Sequence, residues 1–193
     1  REQERDNWNF FLTLPEIDRT SIPMNQVKYT QLLQPLFEFS GACAGCGETP
    51  YLSLLTRLFG DRMIVANATG CSSIYGGNLP TTPYCTREDW RGPTWNNSLF
   101  EDAAELGMGM RLTTDKLGEY ALELLDALHG CECEHCQSNH ALFDDIKSAD
   151  QSTQEGIELQ RGRVAALKNV LQACGDHEQL VSVADYLVKK SVW

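Results

Sequence analysis

The sequence predicts an α/β fold in which parallel strands are flanked by helices. Met63-Ile64-Val65-Ala66 is a continuous apolar run, as in strands that are buried on both faces of a parallel sheet. Amphipathic helical patterns stand before and after it, and a small polar segment, residues 67–73, follows it directly. Open α/β sheets bind their ligands at the carboxyl ends of their strands, so this segment is a candidate binding loop.

Residues 1–40 are interpreted as an arm or linker, because three prolines interrupt any long periodic segment: Pro15, Pro23 and Pro35. Leu12, Leu14 and Ile17 are predicted to dock this arm, in extended form, on the core. Residues 41–193 are interpreted as the folded domain.

The remaining elements follow from hydrophobic periodicity and from turn residues. Apolar residues at helical spacing predict helices over residues 50–59, 99–110, 117–128, 157–171 and 180–188. Glycines and prolines predict a long irregular segment over residues 76–96, after which Asn97 or Ser98 caps the next helix. Residues 191–193 resemble the opening of a strand that the chain does not complete, so we expect the fold to be incomplete.

The composition argues against nucleic-acid and membrane partners. The formal net charge of −11 opposes binding to a phosphate backbone, which requires clustered Lys and Arg. No run of about 18 or more apolar residues predicts a membrane span. The charged N-terminal residues are not those of a secretory signal.

The eight cysteines are clustered rather than spread along the chain. A secreted disulfide scaffold is usually shorter and carries cysteines throughout. Clustered thiols favour metal binding in a reducing compartment, so we expect the cytoplasm, or an anaerobic organelle in a eukaryote.

Cys43 and Cys46 form a Cys-x-x-Cys pair flanked by glycines. Such a pair is compatible with a redox dithiol, a zinc site or an iron–sulfur site. Cys71 follows the buried apolar run, in the candidate binding loop. A lone cysteine there is either a third ligand or a buried packing thiol.

Four segments closely resemble pyruvate:ferredoxin (flavodoxin) oxidoreductases: Cys43 to Pro50, Ala66 to Gly77, Gly92 to Trp95 and Asn97 to Asp102. The similarity is continuous in order and is weakest over residues 130–155, which are interpreted as a cysteine-rich insert. The resemblance implies that residues 41–193 are the first part of that family's thiamine-diphosphate-binding domain, near the C-terminus of a longer polypeptide.

The resemblance also implies the site residues. It identifies Cys43, Cys46 and Cys71 as three ligands of a [4Fe–4S] cluster, and Glu48 and Cys71 as contacts of thiamine diphosphate. Glu48 could equally be a carboxylate at a helix N-terminus. The Mg²⁺ ion and the diphosphate would be bound mainly by residues outside this chain, and the fourth cluster cysteine would also lie outside it. No catalytic residue is assigned within the chain.

The implied activity is oxidative decarboxylation of pyruvate to acetyl-CoA and CO₂, with electrons passing through iron–sulfur clusters. The implied partners are the rest of the parent polypeptide, pyruvate, coenzyme A, and ferredoxin or flavodoxin, in a parent enzyme that is a homodimer. We expect the isolated chain to be inactive. An oxidoreductase for another 2-oxo acid is an alternative.

A second group of cysteines has spacings that also suit zinc. Cys131, Cys133, Cys136 and His140 provide four local ligands, and they would organise a small zinc-binding module as the rival interpretation. An exposed reduced loop or a disulfide within the insert is the simpler explanation. Cys85 and Cys174 are predicted to be inert, and His129 and His135 to be exposed.

Overall fold

The computed structural model describes residues 1–193 and contains three parallel strands and nine α-helices. The strands are β1 (Met63–Ala68), β2 (Thr94–Ser98) and β3 (Ser191–Val192). The helices are α1 (Glu2–Leu12), α2 (Val27–Thr30), α3 (Thr49–Phe59), α4 (Cys71–Gly76), α5 (Ala103–Ala127), α6 (Glu134–Gln137), α7 (His140–Lys147), α8 (Gln154–Cys174) and α9 (Glu178–Val183). The predicted α/β class is confirmed.

The sheet has the order β2-β1-β3, with the predicted apolar strand at its centre. Met63 and Val65 of β1 are buried, as expected for a central parallel strand covered by helices. In β2, Asn97 pairs with Asn67 of β1, and Ser98 pairs with Ala68. The carboxyl ends of β1 and β2 therefore lie side by side.

Helix α3 confirms the helix predicted over residues 50–59. Pro50 stands in its first turn, where the missing N–H of proline costs no hydrogen bond. A short turn then leads directly into β1. Helix α3 therefore connects the Cys43–Cys46 segment to the central strand.

Several predicted boundaries are wrong. Residues 94–98 form strand β2 rather than an irregular segment with a helix cap, and the two helices predicted between residues 99 and 128 are the single helix α5. Residues 2–12 form a helix with no buried residue, and Leu12, Leu14 and Ile17 are exposed. The predicted docking of this arm is therefore wrong, while the division at residue 40 stays a prediction.

A helical lobe lies between β2 and β3 in sequence, and it has its own core. We define it as residues 121–188, which contribute all 14 members of the buried apolar cluster formed by α5 to α9. Phe143 and Ile146 of α7 belong to this cluster, so the predicted cysteine-rich insert contributes to the core. No helix combines the length and the apolar character that a membrane span requires.

The packing of the helical lobe predicts a clear contrast between two leucines of α8. Leu167 is 0% exposed, whereas Leu159 is 55% exposed. We expect Leu167→Ala to lower the free energy of unfolding by about 2–5 kcal/mol, because it leaves a cavity among packed side chains. Leu159→Ala is the matched control, with an expected change below about 0.5 kcal/mol. Urea denaturation measures both, and equal losses would contradict the assignment of the core.

Candidate cofactor site at the carboxyl end of the sheet

The Cys43–Cys46 segment is a tight turn that its glycines permit. The backbone N–H of Cys46 donates to the carbonyl oxygen of Cys43 at 3.0 Å, and Gly45 has a φ of 75°. Glycine adopts this left-handed conformation without strain. Cys43 is exposed and Cys46 is half-buried, so both sulfurs are available to a ligand.

The Cys71 loop is fastened to the ends of both neighbouring strands. Ser73 Oγ accepts from the backbone N–H of Gly70 at 3.0 Å and lies 2.8 Å from Asn97 Oδ1, to which it donates. Asn67 Nδ2 donates to the same Asn97 oxygen at 3.0 Å. Thr69 Oγ1 donates to the carbonyl oxygen of Ser98 at 2.7 Å. These bonds hold Cys71, exposed at the start of α4, at the edge where α/β sheets bind ligands.

A hydrogen bond joins the two cysteine segments. The hydroxyl group of Tyr75, on α4, donates to Glu48 Oε2 at 2.9 Å. Tyr75 is only 4% exposed, so it is a fixed partner for this carboxylate. The bond places Glu48, two residues after Cys46, against α4, the helix that begins at Cys71. The two segments are therefore neighbours at one edge of the sheet.

Two tyrosines surround the Glu48 carboxylate. Burial, followed by the hydrogen bond to Glu48, raises the pKa of Tyr75, and burial with the charge of Glu48 raises the pKa of Tyr84 to about 12. Phe37 packs edge-on against both rings, with centroid distances of 5.7 and 5.2 Å. Both phenols therefore stay protonated at neutral pH, and Tyr75 remains a donor to Glu48.

The geometry does not support the alternative role of Glu48 as a side-chain cap of helix α3. Glu48 is the N-cap residue of α3, but its side chain makes no capping hydrogen bond. It is exposed apart from its contact with Tyr75. Its carboxylate is therefore oriented by Tyr75 and accessible to a ligand.

The donors at this edge are suited to an iron–sulfur cluster. Cys43, Cys46 and Cys71 do not belong to any group of donors that lie within 4.8 Å of one another. Each thiolate of a [4Fe–4S] cluster binds a different iron, so cluster ligands stand farther apart than ligands that share one ion. A Cβ placed at Gly41, Gly45, Gly47 or Gly70 would meet no atom within 4 Å. The space beside these glycines is open, and three thiols are the donor type that such a cluster requires.

The insert cysteines do converge, but with partners other than the predicted one. Two triads of donor atoms, each within 4.8 Å, share Cys136: Cys131–Cys136–His177 and Cys133–Cys136–Cys174. His140 belongs to neither triad and lies instead against His129, with ring centroids 4.8 Å apart. His140 therefore lies apart from these sulfurs, whereas Cys174, which is predicted to be inert, lies among them. A usable signal was the spacing Cys174-x-x-His177, which matches Cys133-x-x-Cys136.

Other functional residues were missed because their roles depend on tertiary contacts. Tyr75, Ser73 and Asn97 lie within the segments that resemble the oxidoreductases, yet none has a charge or a metal-ligand side chain that singles it out. Cys85, which is predicted to be inert, is half-buried; its sulfur donates to the carbonyl oxygen of Pro35 at 3.6 Å, and burial raises the pKa of its thiol.

Comparison with known proteins gives matches along the whole chain. The chain is 55% identical over 201 residues to pyruvate-flavodoxin oxidoreductase of Nostoc sp.. It is 50% identical over 192 residues to the probable pyruvate-flavodoxin oxidoreductase of Escherichia coli, and both alignments cover 100% of the chain. It is 45% identical over 201 residues to pyruvate:ferredoxin oxidoreductase of Moorella thermoacetica, with 98% covered.

The chain spans 15–16% of the length of these curated relatives. No family model matches the sequence. The alignments nevertheless cover 98–100% of the chain, and all three relatives are named as pyruvate oxidoreductases. The chain therefore belongs to the pyruvate:ferredoxin (flavodoxin) oxidoreductase family, of which it represents one segment.

Proposed function

We propose that this chain is the segment of a pyruvate oxidoreductase that ligates one [4Fe–4S] cluster and forms one wall of the thiamine diphosphate site. The parent enzyme oxidises pyruvate in the presence of coenzyme A, and it passes the electrons to flavodoxin or ferredoxin. The observation that carries this proposal is the Tyr75–Glu48 hydrogen bond of 2.9 Å, because it brings the two ligand-bearing segments together at the binding edge of the sheet.

The cluster ligands supplied by this chain are Cys43, Cys46 and Cys71. When bound, thiamine diphosphate supplies the carbanion chemistry of decarboxylation, and the cluster accepts electrons singly. The chain's own contribution is positional. The hydrogen bonds of Ser73 and Asn97 fix the Cys71 loop, and Tyr75 orients Glu48 for a polar contact with the cofactor.

The rest of the parent polypeptide covers this edge. Phe39 and Ile74 lie within four residues of Cys43 and Cys71 in sequence, Phe100 follows β2, and the three are 90, 74 and 76% exposed. Large apolar side chains exposed near a binding edge are typical of interfaces if they form one patch. Other parts of the parent would supply the fourth cysteine and the residues that bind Mg²⁺ and the diphosphate.

An anaerobic assay of the parent polypeptide tests the proposed activity. We expect flavodoxin or ferredoxin to be reduced only when pyruvate and coenzyme A are both present. The isolated 193-residue chain is the control, and we expect it to release no CO₂ from pyruvate, because the residues that bind the diphosphate lie elsewhere. A parent enzyme that prefers another 2-oxo acid would overturn the assigned substrate, and CO₂ release by the isolated chain would overturn its assigned role.

A further inference from the structure

Five donors converge in the helical lobe, from two segments that are about 40 residues apart in sequence. Cys131 and Cys133 precede α6, Cys136 lies within it, Cys174 ends α8, and His177 precedes α9. Cys136 is 0% exposed and belongs to the core of the lobe. The fold therefore buries a thiol and surrounds it with four further soft donors.

Two local turns direct these donors to one point. Cys133 is the N-cap residue of α6, so its side chain and that of Cys136, three residues later, lie on the same face. Gly175 ends α8 with a φ of 83°, a left-handed C-terminal turn. This turn reverses the chain after Cys174 and brings His177 back toward Cys136. Each turn presents two donors separated by two residues.

Three distances between the donor atoms are close to those in the ligand shell of one tetrahedral ion. Cys174 Sγ lies 2.9 Å from Cys133 Sγ and 3.4 Å from Cys136 Sγ. His177 Nε2 lies 3.9 Å from Cys136 Sγ. With Zn–S near 2.3 Å and Zn–N near 2.0–2.1 Å, tetrahedral geometry places two sulfurs about 3.8 Å apart and a sulfur and a nitrogen about 3.6 Å apart. Shifts of less than about 1 Å bring these three of the six donor pairs to those separations. His177 lies within 4.8 Å of Cys136 but is not grouped with Cys133 and Cys174, so its ring has to move toward these two sulfurs when an ion binds.

We propose that Cys133, Cys136, Cys174 and His177 bind a structural zinc ion, which ties α6 to the end of α8 and the start of α9. Cysteine and histidine are the ligands that zinc prefers, and four protein ligands make a closed, non-catalytic site. The Cys131 sulfur lies 3.6 Å from His177 Nε2 and adjoins the site. This role is independent of the oxidoreductase activity and of the ligands Cys43, Cys46 and Cys71.

The two other chemistries open to clustered thiols fit the geometry less well. The ligands of an iron–sulfur cluster bind different irons, so they stand farther apart than these donors. The Cys133–Cys174 sulfur separation of 2.9 Å exceeds the bond length of about 2.05 Å in a disulfide. A disulfide there would also leave Cys136 beside an oxidised pair and His177 without a role.

Metal analysis of the purified chain tests the proposal, in a background carrying Cys43→Ser, Cys46→Ser and Cys71→Ser so that the cofactor-site thiols contribute nothing. We expect about one zinc per chain. X-ray absorption at the zinc edge should show three sulfur neighbours and one nitrogen neighbour of the ion. Cobalt(II) in place of zinc should give the visible bands of a tetrahedral thiolate site. These measurements need no further variant, so they do not depend on whether a ligand variant folds.

Variants then assign the ligands. Cys136→Ser and His177→Ala should lower zinc retention against a chelator at least tenfold, whereas Cys85→Ser, a thiol outside the helical lobe, should leave it unchanged. Zinc that survives His177→Ala but is lost with Cys131→Ser would overturn the assignment of His177. A zinc-free chain 2 Da lighter than its sequence mass would indicate a disulfide, and iron in place of zinc would indicate a cluster; either result would overturn the proposal.

Discussion

We expect Cys46→Ser in the parent enzyme to lower pyruvate-dependent reduction of flavodoxin or ferredoxin by more than about 100-fold. Loss of an outer partner of a metal ligand already costs about 10–100-fold in activity or metal affinity, and Cys46 is proposed to be a ligand itself. The serine hydroxyl is a harder and weaker ligand for iron than a thiolate. Activity is measured anaerobically, together with iron content, which should fall by about four atoms per chain.

The matched control for this prediction is Cys85→Ser. Cys85 undergoes the same atomic change and is half-buried like Cys46, and its sulfur donates to the backbone carbonyl of Pro35. We expect that variant to keep its iron and most of its activity. A Cys46→Ser enzyme with full iron content and undiminished turnover would contradict the assignment of Cys46 to the cluster.

The sequence was sufficient to predict the central strand β1 and the helix α3 before it. It was not sufficient to predict β2, the strand that pairs with β1. Strand β1 is apolar because helices cover it, which produces a visible run of apolar residues. Strand β2, Thr94-Trp95-Asn96-Asn97-Ser98, is an edge strand whose Asn97 faces polar partners of the cofactor site. Its residues serve the site rather than the core, so hydrophobic periodicity gave no strand signal.

The same reasoning applies to helix α5 and to the insert. The apolar patterns over residues 99–110 and 117–128 left a gap between them, yet Thr114 Oγ1 donates to the carbonyl oxygen of Arg111 within the helix, and threonine costs a helix only a fraction of a kcal/mol. Cys133 and Cys174 are 41 residues apart, so local spacing could not pair them. Local rules found the cysteine group, and only the packing of α6 against α8 identified its partners.

Asp61 joins the sheet to the helical lobe through a buried ion-pair network. Its side chain is 0% exposed, and its carboxylate lies 2.7 Å from Arg161 Nη2 on α8 and 2.8 Å from Arg62 Nη1. Arg87 Nη1 is 3.6 Å away. Burial raises the pKa of Asp61, but the positive charges of Arg161 and Arg62 outweigh it and hold the pKa below its ordinary 3.8. The folded state therefore contains an ionised aspartate among buried cations.

We expect Asp61→Asn to lower the free energy of unfolding at neutral pH by about 3–5 kcal/mol, because removing one partner of a buried ion pair leaves the other charges uncompensated. The side chain keeps its size, so cavity formation does not contribute. Urea denaturation measures the change. The control is Asp185→Asn, which breaks an exposed 2.8 Å pair with Lys168 and should cost less than about 1 kcal/mol.

The pH dependence separates charge from shape in this prediction. Since the folded pKa of Asp61 lies below the unfolded value, its ionisation stabilises the fold fully above about pH 4. That contribution is lost as the pH falls through the lower folded pKa, because the folded chain then binds the proton that the unfolded chain already holds. The difference between the wild type and Asp61→Asn should therefore be constant from pH 6 to 8 and shrink below about pH 4. A difference of the same size at all pH values would mean that hydrogen-bond geometry, and not the buried charge of Asp61, holds the helical lobe to the sheet.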